Sequence, residues 1–175
     1  MIPLEKELSN AGIIQKRKVK LTSGYVSDFY CDHKKVFENP KLVKRITKEL
    51  VHKIKDNVTC VAGTGYGGIP LATAVSLDLN LPLVLVRGEA RTHGLKKNIE
   101  GYVPGPKDSV AIIEDVCTYG TSLLKIIAAL KITKAKINGC YVVILRPEMK
   151  LPFAYPLHYL TKATDILKLQ IDKST

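Results

Sequence analysis

With 175 residues, 46% of them hydrophobic, the chain is long enough for one α/β domain with a sizeable core and too short for two ordinary domains. Its 27 basic against 16 acidic side chains leave a net charge of +11, which draws polyanions. Yet Lys and Arg are spread along the whole chain, Trp is absent, and no helix-turn-helix, zinc or RNA-recognition pattern occurs, so the excess reads as a solvated surface and a field for small anionic substrates rather than for nucleic acid.

No apolar run approaches the roughly 20 residues of a membrane span, and the first seven residues lack the charged and apolar regions of a signal peptide, which predicts a cytoplasmic protein with no membrane partner. Residues 2–14 carry Leu4, Leu8, Ile13 and Ile14 behind early acids and predict an amphipathic first helix. Residues 19–21 and 29–32 flank a Ser23-Gly24 turn and read as a short hairpin. Asn39 and Pro40 are a cap and first-turn pair, after which Val43, Ile46, Leu50 and Ile54 line one helix face. Residues 58–63 predict a buried strand, 69–79 a helix and 82–87 a second buried strand.

Between that first strand and its helix lies Gly63-Thr64-Gly65-Tyr66-Gly67-Gly68, a loop able to offer backbone N–H groups to a pyrophosphate. It matches G-x-G-x-x-G, so a dinucleotide-binding fold competes at this point, as does a plain glycine turn. Residues 88–108 show no sustained periodicity and read as a long loop with short extended pieces. Within it Arg91, His93, Lys96 and Lys97, following Arg87, are candidates to converge on a leaving pyrophosphate, with glycines permitting a lid to move; a solvated charged loop is the plainer reading of the same composition.

Residues 110–113 are apolar and β-branched, as suits a strand covered on both faces, and Glu114 and Asp115 end it with charge that such a strand cannot bury unpaired, so both acids are expected to meet solvent or ligand. Thr118, Tyr119, Gly120, Thr121 and Ser122 then supply hydroxyls and amides just where helical spacing resumes at Leu123, Leu124, Ile127 and Leu130. A phosphate could rest on that helix N-terminus beside acids that hold ribose hydroxyls. Helix capping alone accounts for the hydroxyls, though not for two adjacent carboxylates. A helix over 121–133, a strand over 140–145, and an aromatic-rich extended piece with a short helix over 152–171 complete the alternation. It predicts a mostly parallel sheet flanked by helices, with right-handed crossovers. Cys31, Cys60, Cys117 and Cys140 form no C-x-x-C pair, which argues against a zinc site or disulfide framework; Cys117, beside the proposed phosphate turn, is the candidate reactive thiol.

The segment 109–122 resembles the phosphoribosyl pyrophosphate signature of the type I phosphoribosyltransferases: hydrophobic residues, two acids, a variable pair, Thr, a variable residue, Gly and a hydroxyl. The order Arg, Glu, base, His-Gly, then Ile-Glu-Gly across 87–101 is similar to the catalytic loop of orotate phosphoribosyltransferases. So are the Leu21-Thr22-Ser23-Gly24 hairpin with Tyr30 beyond it and Arg146 after the last core strand. The resemblance spans about residues 10–150. It implies a type I phosphoribosyltransferase fold in one domain, a core of about 36–149 under a small hood of about 1–35 and 150–175.

It further implies Mg²⁺-dependent transfer of phosphoribose from phosphoribosyl pyrophosphate to orotate, giving orotidine 5′-monophosphate and pyrophosphate. Asp115 and Glu114 would hold the ribose, and Arg91 and His93 would act from a partner's loop across a homodimer. Thr64, Gly65, Tyr66, Gly67, Arg87, Lys96 and Lys97 would serve pyrophosphate, residues 118–122 the 5′-phosphate, and Tyr30 and Arg146 the base. The metal would be held by substrate and water rather than by protein side chains. Tyr25, Gly67 and Gly88 stand where the family usually has basic residues, and Asp28 where it usually has Pro. Transfer to another base, or a non-catalytic sensor of phosphoribosyl pyrophosphate on the same fold, are the other expectations the pattern allows.

Overall fold

In a computed structural model of the protein, residues 2–20, 26–88, 98–146 and 154–171 are described. Helix α1 (Leu4–Asn10) is shorter than the 2–14 expected, because Gly12 takes the left-handed conformation (φ +66°) and turns the chain into strand β1 (Ile14–Lys20). That strand pairs antiparallel with β2 (Val26–Cys31), so the hairpin is longer than periodicity suggested; residues 21–25, with Ser23, Gly24 and Tyr25, lie outside the described residues. A 3-10 helix (His33–Glu38) leads to α2 (Pro40–Lys53), whose N-terminus is capped as expected: the Asn39 side chain accepts from the Lys41 and Leu42 amides.

Strand β3 (Cys60–Thr64) passes directly into α3 (Gly65–Leu79), which starts four residues before the predicted helix and contains Pro70. The glycine-rich stretch is therefore the first turn of a helix. Strands β4 (Leu83–Val86) and β5 (Ile99–Gly101) follow, the latter one of the short extended pieces expected within 88–108. Strand β6 (Ser109–Cys117), helix α4 (Thr121–Thr133), strand β7 (Lys136–Leu145), strand β8 (Leu157–Lys162) and helix α5 (Ala163–Ile171) complete the chain. No helix among the described residues is long and apolar enough to cross a membrane.

The six-stranded sheet runs β5-β4-β3-β6-β7-β8, parallel throughout except for β5. Both faces are covered, as the period of two in its central strands shows. Ala111 and Ile113 of β6, with Tyr141 and Val143 of β7, join a core with Leu8, Ile46, Leu50 and Leu71 of α1, α2 and α3. Val110, Ile112, Cys140 and Val142 face the other way, onto Leu123, Ile126 and Leu130 of α4. Strand β3 leads through α3 to β4 on one side, and β6 leads through α4 to β7 on the other. The crevice at the carboxyl ends of β3 and β6 is thus the topological switch point at which open α/β sheets take their ligands.

Candidate active site

Strand β6 outruns its neighbour. Its register with β3 covers only Val110 to Ile112, whereas pairing with β7 continues to Cys117. Glu114 and Asp115 therefore lie where β3 has already turned away into α3, and the first turn of that helix closes over them. A Cβ at Gly68 would fall 2.7 Å from Glu114 Oε1, and one at Gly67 2.0 Å from Asp115 Oδ2, so only glycine permits this approach.

The two acids have different surroundings. Of the two acids expected to meet solvent or ligand, Glu114 is only 3% exposed and lines the cavity before α4; its Oε1 accepts from the Asp115 amide at 3.1 Å, and the Ser122 hydroxyl bonds to its carboxyl. Burial first, and then the negative charge of Asp115, push the Glu114 carboxyl well above the ordinary carboxylate range. A strand end can bury a carboxyl when local donors serve it, as the Asp115 amide and the Ser122 hydroxyl do here. Asp115 remains partly open to the crevice, with Oδ1 accepting from the Val116 amide at 2.8 Å.

Past Cys117 the chain turns through Thr118 and Tyr119 to Gly120, whose left-handed backbone (φ +74°) caps α4. No side chain caps this helix, and its first turn borders a cavity of about 160 Å³ lined by Glu114 and residues 116–123. Amides, hydroxyls and the positive end of the helix dipole thus face a space of phosphate size. Cys117 is not the reactive thiol its position suggested: it is 2% exposed, and burial pushes its pKa up to about 11.

The other predicted residues divide into three groups. Thr64 lies at the mouth of the crevice, but its hydroxyl donates to the Val86 carbonyl at 2.8 Å and braces β3 against β4. Tyr66, 91% exposed, stands out from the first turn of α3. Arg87 is tied to Glu100, its Nη2 and Nε donating to Oε1 at 2.7 and 3.1 Å, which joins the ends of β4 and β5. Arg146 is buried beside the end of β6, its amide donating to the Cys117 carbonyl, and its guanidinium lies 4.1 Å from the centre of the Phe29 ring. Tyr30 is the next residue on β2, in contact with Lys34. Arg91, His93, Lys96 and Lys97 lie outside the described residues.

Sequence reasoning missed two residues here. Phe29 meets Arg146, and the alternation along β2 was the signal for it, since Phe29 and Cys31 share the core-facing side. His33 lies 3.9 Å from Asp115 and is buried, and the charged neighbours Asp32, Lys34 and Lys35 give no local sign of that burial.

An α/β sheet with an acid pair and an open helix N-terminus at its switch point is the arrangement of a phosphoribosyltransferase, and a family model described as the phosphoribosyl transferase domain matches residues 32–166. The chain is 37% identical over 148 residues to the orotate phosphoribosyltransferase of Pyrococcus abyssi, covering 83% of this chain and 81% of that one. The crystal structure of orotate phosphoribosyltransferase from Aeropyrum pernix superposes with a TM-score of 0.84 at 25% identity, over 95% of this chain and 97% of that one. A UMP synthase from Leishmania donovani is similar in fold, with a TM-score of 0.83 at 24% identity; the match covers 98% of this chain and 38% of that longer one. The protein belongs to the orotate phosphoribosyltransferase family. Membership sets aside the dinucleotide reading of the glycine motif, whose Gly67 and Gly68 make room for the two acids.

Proposed function

We propose that the protein transfers the phosphoribosyl group of phosphoribosyl pyrophosphate to orotate, forming the bond from N1 of the pyrimidine to the anomeric carbon as the bond to pyrophosphate breaks and the N1 proton passes to solvent. The observation that carries this reading is the meeting of the two strand-to-helix turns at one crevice, with Asp115 between them. Asp115 would accept from the ribose hydroxyls, and Glu114, its carboxyl pushed well above the ordinary range by burial, would hold Asp115 and Ser122 in place. The amides and hydroxyls of residues 118–122 would bind the 5′-phosphate. Gly65, Tyr66 and Gly67 would present the α3 N-terminus to the pyrophosphate, with Arg87 at its edge. Arg146, stacked on Phe29, and Tyr30 would hold the base beneath the β1–β2 ribbon, which with α1 and α5 forms the hood.

Bond cleavage builds positive charge on the sugar and negative charge on the leaving group, so cations aimed at pyrophosphate lower the barrier. Arg91, His93, Lys96 and Lys97 would supply them from the partner in a homodimer. Mg²⁺ belongs to the proposal as well, carried by substrate oxygens and water because the ion dehydrates reluctantly. When bound, it adds positive charge to the departing pyrophosphate. The reaction is assigned to the cytoplasm.

Pyrophosphate release with Mg²⁺, phosphoribosyl pyrophosphate and each free base in turn tests the reading. Orotate is expected to be the preferred acceptor, and a faster purine reaction would overturn it. Mixing an Asp115→Asn subunit with an Arg91→Ala, His93→Ala subunit should restore activity through one intact site. A verified heterodimer with no recovery from inactive parents would show that the loop does not act across the interface.

A further inference from the structure

His33 opens the 3-10 helix that follows the β1–β2 ribbon and is 1% exposed. Neither ring nitrogen has a hydrogen-bond partner among the described residues, and the edge of the imidazole meets the Phe37 ring at a centroid distance of 6.1 Å. A buried imidazole without partners is a cost to the fold, and a leucine in the same space would remove it. What the ring faces is the site: Nδ1 is 3.9 Å from Asp115 Oδ2, beyond hydrogen-bond length but within reach of a small turn of the carboxylate. The same Oδ2 rests against the bare Cα of Gly67, while Oδ1 is held by the Val116 amide. Asp115 is thus held by the Val116 amide and by a side-chain hydrogen bond with Glu114 and packed against Gly67, with His33 facing its Oδ2.

We propose that His33 is a positioning residue for Asp115, its Nδ1–H donating to Oδ2 once the ribose hydroxyls of phosphoribosyl pyrophosphate engage the carboxylate. The proposal rests on the ribose-binding reading of Asp115. Burial keeps the imidazole neutral, its pKa pushed down to about 4 although Asp115 pulls the other way, so the ring has a single N–H to give. The contact would fix which lone pairs of Asp115 face the sugar, and it would give the ring a partner that it lacks among the described residues.

The test compares His33→Leu, which fills the space without a donor, with His33→Asn, whose amide reaches the Nδ1 position. In His33→Leu the KM for phosphoribosyl pyrophosphate should rise about tenfold, the scale of one hydrogen bond to a charged group, with the KM for orotate unchanged and the melting temperature equal or higher. His33→Asn should recover most of the loss. In an Asp115→Asn background, His33→Leu should cost nothing further, because its effect passes through that carboxylate.

A folded, active His33→Leu enzyme with an unchanged KM for phosphoribosyl pyrophosphate overturns the proposal alone, as does an equal loss in the Asp115→Asn background. A wild-type protein that does not bind phosphoribosyl pyrophosphate overturns the ribose reading together with it. If His33→Leu does not fold, the ring-nitrogen resonances of the wild-type protein decide. The Nδ1 proton should move downfield on addition of phosphoribosyl pyrophosphate, and an unmoved resonance in the occupied protein rejects the contact.

Discussion

The two strand-to-helix turns that meet at the crevice are built in opposite ways. At the end of β3 the helix begins at once, and its glycines exist to be filled: the carboxyls of Glu114 and Asp115 occupy the room that side chains at 67 and 68 would need. At the end of β6 the strand runs on, a left-handed Gly120 opens the turn, and the helix N-terminus faces a cavity. One turn is packed against the protein's own acids, and the other opens onto a cavity. Glycine-rich composition looks the same in both, and only the packing separates a close approach from a ligand cradle.

The sharpest way to break this comparison is to keep the packing and remove the charge. Asp115→Asn preserves shape at the first turn, so the melting temperature should stay within about 3 °C while kcat/KM falls about a hundredfold or more. Steady-state kinetics beside calorimetry measures both, and an unaltered rate would remove Asp115 from the site. Gly67→Ala attacks the same contact from the other side. Its Cβ would lie 2.0 Å from Asp115 Oδ2, and the carboxylate has to swing away. An overpacking cost of about 1–3 kcal/mol is set against a gain of about 0.5–1 kcal/mol from replacing glycine in a helix. Activity should fall about tenfold, with a modest loss in denaturant midpoint. Full activity in Gly67→Ala would show that Asp115 does not need this position.

Much of this was legible in advance because the apolar periods are clean. The cap at Asn39, helix α4 over 121–133, the buried strands β3, β6 and β7 and the half-buried β4 follow from alternation and turn residues alone. The start of α3 was hidden because three glycines among residues 65–69 mask helical spacing, and the length of β6 because charge within a strand looks like its end. Neither the raised carboxyl of Glu114 nor the burial of His33 is written in local sequence, since each depends on what α3, α4 and the 3-10 helix bring over it.

A smaller effect concerns acid stability. The buried His33 has its pKa lowered from 6.5 to about 4, so the unfolded chain binds its proton first, and the stability present above pH 6.5 should drain away as the pH falls toward 4. Chemical denaturation across that window should show a shallower decline for His33→Leu than for the wild type. Glu114, present in both proteins, works in the opposite direction: its raised carboxyl favours the folded state at low pH and ceases to do so as the pH climbs through its folded value. Parallel curves for the two proteins would place the imidazole in water. The smallest effect belongs to Cys117, which lines the phosphate turn yet should resist alkylation near neutral pH while the fold is intact, because its thiol is buried and pushed up to about 11. Rapid labelling of Cys117 with loss of activity would contradict the closed packing beneath that turn.

Pro70 gives the first turn of α3 a further property. It has no N–H to offer the Tyr66 carbonyl, and Gly65, Gly67 and Gly68 each disfavour helix by about 1 kcal/mol relative to alanine. In helix–coil terms, the segment before Pro70 is a weakly propagated end attached to a well-propagated body, held in shape by the acids packed against it rather than by its own ladder. An anion resting on its amides would lend the order that the sequence withholds. Amide exchange at Tyr66, Gly67 and Gly68 would then follow ligand occupancy, while the body of α3 stays protected throughout.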